Sequence, residues 1–238
     1  MFGLKFCVTR MLVVGLTVGT LAGGRLEGQT MRRTRRESNA IRKARIQREI
    51  DATYSHRHEI SGGGGYLRFR SGDQLKKNNE VTFYGNDTYY LSPKLGILAD
   101  VHGAYGNAKI GNSIISIPNP QISEYTFTAG PSYRFYMREK MAASVFGTAG
   151  AVYGRFSYGT KAVPSIDVGI WPDGWRPAFT AGVNVDYNFY PNLAMRISPT
   201  YIGTTFQGVS TTYTGTQGGG LQNNFGFNLG LVYRIGHR

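Results

Sequence analysis

Residues 223–235 of this chain alternate. Phe225, Phe227, Leu229, Leu231, Tyr233 and Ile235 hold the odd positions, and Asn224, Gly226, Asn228, Gly230 and Arg234 hold most of the even ones. A repeat of two marks a strand with one apolar and one polar face. The same period runs through 178–190, where Phe179, Ala181, Val183, Val185, Tyr187 and Phe189 oppose Gly182, Asn184, Asp186 and Asn188. It resumes after Pro191-Asn192 with Leu193, Met195, Ile197 and Tyr201 against Arg196, Ser198 and Thr200, so these two segments read as a hairpin. Further strands are expected near 58–70, 81–91, 95–105, 121–137 and 141–156, which brings the total to eight.

The connections sort by length. Ser92-Pro93-Lys94, Arg138-Glu139-Lys140 and Pro191-Asn192 are tight, whereas 71–80, 106–120, 157–177 and 207–222 are long. In an up-and-down order this puts every tight turn at one end and every long loop at the other, the segregation of a membrane-spanning barrel. A tilted strand of ten residues climbs about 25 Å, the height of the apolar band in such a barrel. Aromatics gather near strand ends, as in Tyr89-Tyr90, Tyr133 with Phe135 and Tyr136, Tyr187 with Phe189 and Tyr190, and Tyr233, which suits a lipid–water interface. The first strand is the least regular. In EISGGGGYLRFR the parity is lost between Glu59 and Tyr66, and only Leu67 and Phe69 against Arg68 and Arg70 can be followed, so a bulge or bend is expected there.

Periodicity alone leaves two orientations, apolar face toward a soluble core or apolar face toward lipid. In the lipid-facing case, parity puts Arg68, Asp100, His102, Glu124, Arg134, Asp186, Arg196 and Arg234 in the lumen. Eight strands enclose a space that side chains just fill. A mixed-sign set in that space has to pair, because an unpaired buried charge costs several kcal/mol. The expectation is an ion-paired plug and no open pore.

Other chemistry is sparse. Asp100 and His102 share one strand face, but no nucleophile and orienting group accompany them, so no catalytic residue is assigned. His56 and His58 have ligand spacing without a third ligand nearby, and no metal site is assigned. The glycine runs SGGGGY and TGTQGGG lack the ending and the strand-to-helix setting of a phosphate loop, so no cofactor is expected. Trp171 and Trp175 fall in the longest loop, as interface anchors or as a ligand-contacting tip.

The amino-terminal region changes character. Residues 1–24 carry Lys5 and Arg10, an apolar stretch of 12 from Met11 to Ala22, and small residues after it, the layout of a signal peptide cleaved after Ala22 or Gly24. The alternative is an uncleaved anchor. Cys7, the single cysteine, lies in this leader, so the mature chain is expected to have no disulfide. Residues 1–57 hold 12 Lys or Arg against 4 Asp or Glu, and the run 31–50 has helix-forming composition with a thin apolar stripe. It reads as a solvated, helical or disordered tail, or as a basic arm toward anionic lipid or an acidic periplasmic partner, with nucleic acid disfavoured. Positive charge directly after an export signal opposes export. The expected division is signal peptide 1–24, basic segment 25–57 and barrel 58–236.

Three stretches, LSPKLGILADVHGAYG (91–106), EYTFTAGPSYRFY (124–136) and FTAGVNVDYNFYPNLAMRISPTY (179–201), resemble the small eight-stranded outer-membrane β-barrels of Gram-negative bacteria similar to OmpA and OmpX. The resemblance covers about three quarters of the chain. It implies an all-β, up-and-down transmembrane barrel in the cell outer membrane, with outer-membrane lipid around it and the barrel assembly machinery as a partner during biogenesis. Asn228, Gly230, Tyr233 and Ile235 match the spacing of the family's carboxy-terminal assembly signal, although Gly236-His237-Arg238 follow where the family often ends on an aromatic residue. The function implied is structural or surface-interacting and not enzymatic, with long external loops as contact surface. A small channel is the alternative, and an outer-membrane lipid-modifying enzyme or a soluble ligand-binding barrel comes third.

Overall fold

The computed structural model describes residues 38–72, 75–109, 120–158, 160, 165–208 and 218–237. The expected signal peptide and most of the basic segment lie outside them. The chain divides into two compact units, 1–42 and 43–238. In the first, the described residues begin helix α1 (Asn39–Tyr54), with the Arg42 amide donating to Ser38 O at 3.1 Å.

The second unit is built on eight strands. They are β1 (His56–Phe69), β2 (Asn78–Tyr90), β3 (Leu95–Asn107), β4 (Gln121–Met137), β5 (Met141–Arg155), β6 (Gly174–Tyr190), β7 (Leu193–Thr204) and β8 (Gln222–His237). Each pairs antiparallel with its sequence neighbour, and β8 returns to β1 through pairs from His58↔Ile235 to Arg68↔Phe225, so the barrel closes. The period-two segments were therefore strands in the expected order. The first begins two residues before the expected His58. A two-residue ladder, Gln207–Gly208 with Gly218–Gly219, lies in the β7–β8 connection. No helix among the described residues is long and apolar enough to cross a membrane.

The barrel is inside out relative to a soluble protein. Phe225, Leu231 and Tyr233 are 61, 57 and 51% exposed, while their neighbours Asn224 and Arg234 are 0 and 1% exposed. Only a surrounding apolar medium makes that arrangement favourable. Two irregularities support it. Register shifts between Arg134 and Tyr136 and between Asn188 and Tyr190 break the alternation, so the pairs Phe135-Tyr136 and Phe189-Tyr190 both face outward at the tight-turn rim. A second girdle circles the loop end, with ring contacts such as Tyr105–Tyr125 at 5.8 Å, Tyr153–Trp175 at 5.2 Å and Tyr201–Phe225 at 5.2 Å. From Tyr233 to Phe225 a tilted strand climbs roughly 20 Å, close to the apolar band of such barrels.

At the β1–β8 seam the lumen wall has few side chains. A Cβ on Gly63 would collide with the Leu229 carbonyl, and one on Gly230 with the Tyr84 hydroxyl, so both positions require glycine for close approach. The space is used by the Tyr84 ring, stacked on His102 with centroids 5.7 Å apart.

One residue assigned to the lumen is outside it. Arg68 is exposed, and the two apolar residues beside it, Leu67 and Phe69, are buried. At this end of β1 the lumen itself is apolar, so the rule that greasy residues face lipid inverts.

Lumen of the barrel as candidate functional site

The lumen has three layers. The one nearest the tight turns is ionic. Glu59, from β1, accepts from three guanidinium groups: Arg134 of β4, Arg196 of β7 (3.2 Å) and Arg234 of β8 (2.6 Å). Arg196 also grips Asp186 with two bonds of 2.7 and 2.8 Å. All five side chains are nearly inaccessible. Three cations face two carboxylates, and the excess charge is met by aromatic faces and turn carbonyls. The Arg134 guanidinium lies 4.0 Å from the Tyr90 ring and 4.8 Å from that of Tyr54, and Arg134 and Arg234 donate to Pro93 O and Pro191 O.

Tyr54, the last residue of α1, closes this end. Its hydroxyl donates to Arg138 O at 2.8 Å and accepts from Asn188 Nδ2 at 2.9 Å, and Arg234 lies 5.5 Å from its ring. Burial is the largest influence on this hydroxyl and raises its pKa above the ordinary 10.0, against the opposing pull of Asn188, Arg234 and Arg134. The folded state thus keeps a proton that the unfolded chain loses near 10.0. The linked stability is present below that pH and is lost as pH rises through the folded-state value. Tyr54→Phe should cost about 1 kcal/mol at neutral pH. Wild type should lose its advantage over the variant only in alkaline solution above pH 10.0, as read by paired urea titrations.

The middle layer is a hydrogen-bonded polar network. Arg196 donates to Ser61 at 3.3 Å, Ser61 to Asn86, and Asn86 to Asp100 at 3.3 Å. His102 bonds Asp100 through Nδ1, and its Nε2 lies 3.0 Å from Asn228 Nδ2, an arrangement in which Nδ1 carries the proton. Thr82 donates to Asn228 Oδ1 at 3.0 Å. Both ring nitrogens of His102 are thereby occupied and its face is covered by Tyr84. The Asp100–His102 pair is a buried link in the hydrogen-bonded network. His58 instead pairs with Asp87 at 3.0 Å on the partly exposed outside. Among the described residues no group of three potential metal ligands occurs.

The layer nearest the loops is apolar. Phe69, Phe156 and Phe206 meet edge-on or stacked, with centroids 5.1–6.2 Å apart, packed with Leu67, Ile122 and Trp171. Backbone tethers fix them: Asp173 accepts from the Phe156 and Ser157 amides at 2.6 and 2.9 Å, and Gln222 bonds Phe206 N and O at 2.7 and 2.8 Å. Trp171 is neither interface anchor nor tip. It is buried, with Nε1 donating to Arg70 O at 2.9 Å, while Trp175 faces outward. Beneath this cap Glu80 and Glu124 are buried, and among the described residues Glu80 Oε2 and Glu124 Oε1 have no hydrogen-bond partner. The expected pairing of Glu124 with a cation does not occur there.

Of the eight residues expected in the lumen, Asp100, His102, Glu124, Arg134, Asp186, Arg196 and Arg234 are buried in it and Arg68 is not. The structure gathers Arg134, Asp186, Arg196 and Arg234 into one cluster around Glu59, which sequence parity did not assign. The four residues of the expected assembly signal split: Asn228 and Gly230 face the lumen, Tyr233 and Ile235 face outward.

No family model matches the chain, and no curated protein sequence matches it. Solved structures do. Neisserial surface protein A is 10% identical, over 75% of this chain and 97% of that one, with a TM-score of 0.50. Outer membrane protein OprG of Pseudomonas aeruginosa is 16% identical over 78 and 99% of the two chains, with a TM-score of 0.48. Ail, the attachment invasion locus protein of Yersinia pestis, is 20% identical over 75 and 99%, with a TM-score of 0.44. The likeness is one of fold.

Proposed function

We propose that this chain is a plugged outer-membrane barrel, structural or surface-interacting and not enzymatic, whose long loops are the contact surface outside the cell. Its premise is a membrane barrel with an apolar outside, two aromatic girdles and tight turns segregated from long loops. The observation that carries the proposal is the double closure of the lumen, by the guanidinium cluster with Tyr54 at one end and by the phenylalanine cap at the other. A hydrated path would have to displace buried charge pairs and a packed apolar layer at once. Both His102 nitrogens are engaged within the lumen network, which supports a structural role for the Asp100–His102 pair. On the turn side, the exposed cations Lys43, Arg45 and Arg48 of α1 suit an anionic periplasmic or lipid partner. The barrel assembly machinery is the further partner proposed, through the outward Tyr233 and Ile235.

Planar-bilayer recording of the refolded full chain tests this. The expected trace is silent at moderate voltage, with no stable unit steps. Reproducible single-channel steps in wild type would favour the small-channel reading instead.

A further inference from the structure

Glu80 of β2 and Glu124 of β4 stand on either side of β3, and what β3 places between them is small. Ala104 is opposite Glu124, and Gly106, two residues on, is opposite Ile122. The Glu80 side chain leans over Gly106, where an added Cβ would fall 2.7 Å from its Cγ. Glu124 is diagonal to that same glycine, a separation that a long side chain spans. Strand register thus aims both carboxyl groups into one space beneath the phenylalanine cap, where they are 1 and 3% exposed.

Among the described residues neither carboxylate has an ion pair, since the lumen arginines are committed to Glu59 and Asp186 at the other end. One donor reaches the pair, Asn78 Nδ2 at 3.0 Å from Glu80 Oε1, and Glu80 Oε2 and Glu124 Oε1 have none. A third buried oxygen is in the same condition. Asn224 Oδ1 belongs to β8, on the wall opposite β4, two residues inward of the Gln222 that holds Phe206. Its amide nitrogen is spent on Thr204 Oγ1 at 3.2 Å and Gln222 O at 3.4 Å. Buried acceptors are normally satisfied, and here the unsatisfied groups are all oxygens, two of them on carboxyl groups. Such a set selects a hard cation. A charge of two balances the two carboxylates and leaves no net charge buried. We propose that Glu80 and Glu124 bind a calcium ion in the lumen, with Asn224 supplying a neutral oxygen from the opposite wall, directly or through a water. Calcium accepts irregular sets of carboxylate, amide and water oxygens, whereas magnesium demands a near-ideal octahedron. The ion would tie together β2, β4 and β8, which share no ladder.

The test uses the full chain refolded with calcium or with EGTA in a non-ionic, lipid-free detergent, so that no lipid phosphate holds the ion. A heat-modifiable gel shift verifies folding first. After desalting, wild type should retain about one calcium per barrel by elemental analysis, and Glu80→Gln/Glu124→Gln none. Calcium at about a hundredfold excess over its Kd should raise the unfolding temperature of wild type by roughly 5–10 °C and leave the double variant unmoved. Should the double variant not fold, Glu124→Gln alone takes its place, with calcium affinity expected to fall about tenfold or more. Absence of retained calcium in wild type, equal retention in the folded variant, or an unfolding temperature raised as far by acid in EGTA as by calcium would each overturn the assignment.

Discussion

Glu59→Gln should lower the unfolding free energy of the barrel by about 3–5 kcal/mol, the cost of leaving buried charge without its counter-ion. The substitution keeps shape and size. It leaves three guanidinium groups, all within reach of one inaccessible position, with Asp186 as the remaining carboxylate of the cluster. Urea titration in lipid vesicles, followed by the folded-to-unfolded gel shift, gives the number. Adding Arg134→Met to the Glu59→Gln chain should recover part of the loss, because it removes one of the stranded cations. A loss below about 1 kcal/mol for the single variant would mean that the cluster does not depend on Glu59.

Leu229→Arg should cost about 2–4 kcal/mol, and Ile235→Arg between about 0 and 1. Leu229 projects from the middle of β8, opposite Gly64 on one side and Ile197 on the other, where the surrounding hydrocarbon is thickest. Ile235 projects at the tight-turn rim, where an arginine reaches head groups and water. The contrast between the two positions measures orientation. Equal penalties, or none, would mean that β8 does not present its odd-numbered residues to lipid.

The strands were legible because two signals agreed, the period of two and the grouping of Pro, Asn and charged residues in tight turns such as 92–94 and 191–192. Lumen residues in the later strands followed from parity alone. Glu59 was missed because four glycines separate it from the readable part of β1, and a glycine has no side chain to declare a face. Arg68 was misplaced for a different reason. Parity reads two faces but not which is wet, and at the loop end Leu67 and Phe69 pack into a phenylalanine cap assembled from residues near 156, 171 and 206. Nothing local in the sequence announces such a cap. Tyr54 was likewise invisible, since a tyrosine closing a basic helix has no signature that points it at Asn188 and Arg138.

The Glu59 cluster also bears on how the barrel forms. Glu59 lies 75 positions from Arg134, 137 from Arg196 and 175 from Arg234. Until β8 reaches β1, the chain holds arginines desolvating beside an incomplete set of acceptors, together with two open strand edges. Contacts this distant in sequence form slowly, since the chain entropy of the loops between them is lost before any pairing is gained. Docking of the last strand satisfies the strand edges and delivers Arg234 to Glu59 in the same event. Closure of the strand edges and completion of the cluster are thus one event, and peeling β8 away would separate Arg234 from Glu59 as it opens the sheet.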